Sequence, residues 1–263
     1  MALVPSRSSD VPAIHATRSD EFCPSERLPS TGRPKRAFLR HHLVYPLLAA
    51  AAASVMLINA GGDFLLADLL YAAQGHTWAL RESWITTTVV HEAGKTVSAA
   101  AWLGVLLAWV WSLFDRRLAR WRRPLGYLAV ATVAGAVTVS LLKAGSGMDC
   151  PWDLQRYGGL QPFVGLFDAR PPSMGRAACF PAGHASAGYA WVTLYFFFCA
   201  VRPRWRWAGL AVALGVGALF GISQQLRGAH FLSHDLWTLI ICWLVALGGS
   251  TWLLRPNGKG ASA

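Results

Sequence analysis

Six apolar runs, at positions 43–61, 96–114, 125–143, 185–201, 208–226 and 236–254, dominate the 263-residue chain and leave it few ways to fold. Each approaches the roughly 20 residues that cross the hydrocarbon layer of a bilayer. No water reaches the backbone there, so each run is expected to close its hydrogen bonds internally as a helix. The composition agrees, with 54% hydrophobic residues, 13 Trp and only 14% charged residues, where soluble domains carry about 25%. Disordered and disulfide-scaffold chains are excluded on the same grounds. The expected fold is all-α, a polytopic bundle of six transmembrane helices. The run at 185–201 is the shortest and is filled by Trp191, Tyr195, Phe196, Phe197 and Phe198.

A formal charge of +11 suits nucleic acid or anionic lipid, but its distribution along the chain points elsewhere. Seventeen of the 24 Lys and Arg fall in the N-terminal tail, the second and fourth connections and the C-terminal tail, which share one side of a six-span arrangement. Basic segments mark the cytoplasmic face, so both termini are expected inside and the first, third and fifth connections outside. The cluster at 116–123 needs no nucleic acid to explain it. Residues 1–42 read as a polar, mostly disordered cytoplasmic tail, 43–256 as the membrane domain and 257–263 as a second short tail. The first apolar run starts too late for a cleaved secretory leader and reads as an anchor. The amphipathic stretch 63–73 is expected to rest on the outer membrane surface. Gly217 and Gly221 form a small-xxx-small pair suited to close helix contact.

Ionisable residues at membrane depth are expensive and tend to be functional. Lys143, His184, Arg227, His230 and Asp235 all fall at the outer ends of four spans. Lys and Arg can hold phosphate oxygens, and the Gly183 N–H stands at a helix start that favours anions. One His can attack phosphorus while the other protonates the leaving oxygen. A carboxylate can fix the tautomer of the attacking ring.

In order along the chain these residues resemble the three motifs of the type 2 phosphatidic acid phosphatase superfamily, which includes the vanadium haloperoxidases. That pattern is Lys, six residues, Arg-Pro; Pro-Ser-Gly-His; and Ser-Arg, five residues, His, three residues, Asp. Here it reads Lys143, six residues, Cys150-Pro151; Pro181-Ala182-Gly183-His184; and Ser223-Gln224, five residues, His230. Cys150 replaces the first motif Arg, and Arg156 is the nearest substitute. Ala182 removes a hydroxyl. Gln224 replaces the second Arg, while Arg227 lies three positions on and so on the same helical face. His234 and Asp235 follow His230 by four and five residues. Asp235 is favoured as its support if the last helix starts at Ser233 as N-cap, with His234 as the alternative.

The resemblance implies a metal-independent, cofactor-free membrane phosphatase of a lipid phosphate or diphosphate in the bacterial inner membrane, with its site facing the periplasm. His230 would form a phosphohistidine and His184 would act as acid and then base. Lys143, Arg227, Arg156 and Gly183 would stabilise the transferring group. Phosphotransfer to a lipid acceptor, or binding without catalysis, are the alternatives. Phosphatidic acid, phosphatidylglycerol phosphate, undecaprenyl diphosphate and lipid A all remain open as substrates, as does the oligomeric state. Cys150 and Cys179 are the only cysteines expected in the outer loops and are expected to be bridged. Such a bridge contributes roughly 3–4 kcal/mol through lost chain entropy. His91-Glu92-Ala93-Gly94-Lys95 begins like a zinc-protease helix but lacks its second His, so a structural or substrate-facing role is expected. Asp149 and Asp153 are unassigned.

Overall fold

The computed structural model describes residues 33–166 and 168–254, all helix and loop apart from one isolated bridge between Leu154 and Gln161. Among the described residues, five helices are long and apolar enough to cross a membrane: α1 (Arg36–Asn59), α3 (Ile85–Phe114), α4 (Arg116–Gly145), α6 (Pro203–Leu226) and α7 (Leu232–Leu253). The sixth expected span is the shorter apolar helix α5 (Ser186–Val201). It starts one residue later than the expected run, directly after residues 183–185, which form the turn that carries His184. The bundle, more than lipid, surrounds α5: Tyr189, Val192, Tyr195 and Phe196 are buried.

The N-terminal tail lies outside the described residues up to position 32, but helix already begins at Arg33 and covers 33–42. The short C-terminal tail at 257–263 lies outside them entirely. The stretch expected to rest on the membrane is α2 (Gly62–Ala73), and it turns its inner face to the protein. Asp63 and Ala67 are buried, and Ala67 packs with Leu154, Tyr157 and Phe231 above the bundle.

The core lies where α4, α5, α6 and α7 meet. Small residues set the distances there, because helices in lipid associate by close packing rather than by a hydrophobic drive. A Cβ at Gly188 would stand 2.4 Å from the Gly217 nitrogen, so α5 and α6 touch backbone to backbone. Polar side chains fix the register between helices. Tyr127 Oη donates to the Ala246 carbonyl at 3.0 Å, and the Thr132 and Thr193 hydroxyls pair at 2.8 Å. Outside this core, α1 and α3 present side chains such as Leu48, Met56, Val97 and Trp111 outward.

Helix α3 is nevertheless tied in firmly. Ser98 Oγ donates to the Ala187 carbonyl at 2.6 Å, and Trp191 Nε1 donates to Ser98 at 2.9 Å. Gly94 lies against Phe220 so closely that a Cβ would stand 2.5 Å from the ring. The first turns of α3, Ile85–Ala93, are π-helical, as are Arg40–Val44 and Val55–Asn59 in α1.

Candidate active site

Lys143 sits in the last turn of α4, and its side chain passes over Gly183. A Cβ at position 183 would stand 3.2 Å from Lys143 Cδ and 3.6 Å from Nζ, so glycine lets the ammonium reach the motif turn. That turn is anchored on both sides. Ser186 Oγ donates to the Gly183 carbonyl at 2.6 Å, and Thr238 Oγ1 of α7 donates to the Ala182 carbonyl at 3.1 Å. The Ala182 N–H donates to the His234 carbonyl at 3.3 Å.

His230 is delivered by a tight turn after α6. Gly228 has φ of +69°, and a Cβ there would strike Trp78 at 2.4 Å, so this position requires glycine on both counts. Its carbonyl accepts from the Trp152 N–H at 2.9 Å, which fastens the turn to the first motif's loop. The chain then enters α7 with Phe231 as N-cap, two residues earlier than the expected Ser233. The first-turn N–H of Ser233 donates instead to Asp63 Oδ1 of α2 at 2.9 Å, a cap supplied from outside the segment.

This earlier start redirects the carboxylate. With α7 regular through 234 and 235, the two side chains diverge by about 100°. His234 Nδ1 stands 3.3 Å from His230 Nδ1. Asp235 points to α6, where Gln225 Nε2 donates to its Oδ2 at 2.5 Å and the absent Cβ of Gly221 makes room for it. The neighbour of His230 is therefore His234, and the expectation favouring Asp235 does not match its direction.

Arg156 is also placed elsewhere. Its guanidinium grips Asp68 of α2 bidentately at 2.8 and 2.5 Å, and Tyr157 Oη donates to the same carboxylate at 2.9 Å. The hydrogen bond from Arg156 holds the Asp68 carboxyl below its ordinary range, and the pair fastens α2 to the loop. Asp149, unassigned from sequence, pairs with Arg170 at 2.6 and 3.0 Å.

A disulfide joins Cys150 to Cys179 with Cα atoms 5.3 Å apart, linking the loop after α4 to the segment before the motif turn. Cys179 Sγ lies 3.6 Å from His230 Nδ1. Ligand atoms of Cys179, His230 and His234 fall within 4.8 Å of one another, in the manner of a metal site. The sulfur is already bonded to Cys150, however, so two imidazoles remain where a catalytic zinc uses three protein ligands.

His184 meets a partner that motif reasoning did not supply. The His91 ring of α3 lies 3.8 Å from it, centroid to centroid, and the two line one cavity with Lys95, Gln224, Val90 and Phe220. The spacing of His91 and Lys95, four residues apart on one helical face, was the available signal. The His184 Nδ1 atom is buried without a partner among the described residues. Burial, followed by the charges of His91, Lys143, Lys95 and Arg227, pushes His184 down to about 3. Burial likewise holds His230 well below the usual imidazole range; the charges of His234, Lys143 and His184 add to this, and a backbone hydrogen bond to Cys179 opposes it. Lys143 thus acts on both catalytic candidates. Arg227 stands on the His184 side, its Nε donating to the Arg81 carbonyl at 2.8 Å and its guanidinium 6.0 Å from the Trp152 ring.

The structure therefore brings together Lys143, Gly183, His184, Arg227 and His230, adds His91, Lys95 and His234, and sets Arg156 and Asp235 apart. Neither the curated proteins nor the solved structures provide a match. The sequence model of the PAP2 superfamily does match, over residues 124–257, a span that holds all three motifs and half the chain. With its membrane-length helices and clustered motif residues, this chain belongs to the PAP2 superfamily and is a membrane protein of the phosphatase type.

Proposed function

We propose that the protein hydrolyses a lipid phosphate or diphosphate in two steps, on the side of the membrane opposite its basic loops. The observation that carries this reading is the meeting of three motif-bearing elements: the Lys143 side chain lies over Gly183, next to His184, and Ala182 of the same turn is hydrogen-bonded to His234 and Thr238 of α7, the helix that His230 leads into. Burial disfavours the charged form of His230, which favours a nucleophilic ring. Its Nδ1 faces His234 and Cys179, which leaves Nε2 to attack phosphorus and form a phosphohistidine. His234 holds the ring's orientation, the part given to a carboxylate in catalytic triads. Lys143 and the Gly183 N–H stabilise the charge on the equatorial oxygens. His184 protonates the leaving oxygen and then takes a proton from the water that hydrolyses the intermediate. The basic segments at 116–123 and 202–206 lie at the other end of the bundle, so the site faces the periplasm if they face the cytoplasm.

The test is phosphate release by purified protein against a panel of lipid phosphates, with His230→Ala and His184→Ala as controls. Loss of release in both variants, inhibition by vanadate and insensitivity to chelators are expected. Release that survives His230→Ala would sink the mechanism.

A further inference from the structure

His91 and Lys95 lie outside the residues matched by the family, yet α3 holds them against the site through Gly94 on Phe220 and Ser98 on Ala187. The cations of the site divide into two groups. Lys143 lies over Gly183, and its charge reaches His184, His230 and His234. His91 and Lys95 line a cavity together with His184, whereas His230 lines a different one with Trp78, Gln225 and Phe231. His184 therefore stands between a cation on the nucleophile's side and a cationic cavity on the far side.

In an in-line displacement the acid faces the leaving group, opposite the nucleophile. An alcohol leaving group is neutral once protonated and has no need of a cation beyond the acid. A phosphate leaving group does. We infer that His91 and Lys95 form a second anion subsite that holds a leaving phosphate, so that the preferred substrate is a diphosphate carried on a lipid. Val90 and Phe220 supply the apolar wall of the same cavity. Two carboxylates, Glu92 beside His91 and Glu82 beside Arg227, temper the positive field without closing the cavity.

This inference rests on the phosphatase reading. His230 Nε2 bonds to the terminal phosphorus as the bridging P–O bond breaks, and its electron pair goes to the bridging oxygen. That oxygen takes the His184 proton, and a lipid monophosphate leaves. Water then attacks the phosphohistidine: its oxygen bonds to phosphorus as the P–N bond breaks and that electron pair returns to His230 Nε2, its proton goes to His184, and orthophosphate departs. A phosphate oxygen is a far weaker base than an alkoxide, which suits an acid whose proton is held as loosely as that of His184.

The experiment compares diacylglycerol diphosphate with the phosphatidic acid of identical acyl chains, using full-length protein. Wild type should favour the diphosphate by about tenfold or more in kcat/KM, and Lys95→Ala and His91→Ala should each reduce that preference by about fivefold or more. Lys95→Arg, which keeps the charge on an exposed position, should retain most of it. An equal preference in wild type, or one unmoved by both alanine variants, would overturn the subsite. If neither lipid is turned over, the phosphatase reading fails separately. The subsite is then judged by calorimetry of methylenediphosphonate against orthophosphate: binding that is tighter for the diphosphonate and sensitive to Lys95→Ala supports it, and equal binding overturns it.

Discussion

Filling the site with an anion should pull a proton onto His184. Its imidazole is held at about 3 by burial and by the surrounding cations. Charging it at neutral pH therefore costs on the order of 5 kcal/mol, about four units at 1.36 kcal/mol each. A dianion about 4 Å away returns roughly 8 kcal/mol at an effective dielectric near 20, but only about 2 kcal/mol if the site is as polarisable as water. The first value exceeds the cost and the second does not, so His184 can serve as the acid only in a dry site, and proton uptake is the readout of that role. Because the free imidazole is depressed and the bound one raised, affinity should rise as pH falls, by about tenfold per unit below the bound-state value. Sulfate, a dianion throughout, avoids titration of the ligand. Calorimetry at pH 7 in buffers of differing ionisation enthalpy should show close to one proton taken up by wild type and close to none by His184→Gln. No uptake in wild type would refute His184 as the acid.

His234→Ala should lower kcat by about 10–100-fold, as loss of an orienting partner does, whereas Asp235→Asn should change kcat by less than about threefold; steady-state phosphate release separates the two. Gly221→Ala would set a Cβ 2.5 Å from Asp235 Oδ2, and overpacking of about 1–3 kcal/mol should appear as a lower Tm in detergent. Removing the cap on Ser233 by Asp63→Ala should cost about 1–2 kcal/mol in the same melt and loosen α2 from α7. Replacing both Cys150 and Cys179 by Ala should remove roughly 3–4 kcal/mol, read as a Tm shift that reductant reproduces in wild type.

Much of this protein was legible before any coordinates, because a bilayer admits so few solutions. A run of apolar residues near 20 long can only be a helix there, so α1, α3, α4, α6 and α7 follow from local composition. The motif residues were equally visible, since Lys143, His184 and His230 follow one another at the motif spacings and at the same ends of such runs. The spacing between them fixed which helix ends had to converge.

What composition could not decide was direction. Whether Asp235 or His234 meets His230 turned on a helix start two residues early, and that start depends on Asp63, more than 150 positions away. Arg156 looked like a spare phosphate ligand until α2 brought Asp68 to it. His91 and Lys95 looked like a broken metal motif until Gly94 and Ser98 docked α3 beside α5 and α6. Each of these contacts joins residues distant along the chain. Hydrophobic patterning is a local property that fixes what each segment becomes, whereas the partner of a charged side chain depends on how whole segments pack. That packing exists only once the bundle has closed.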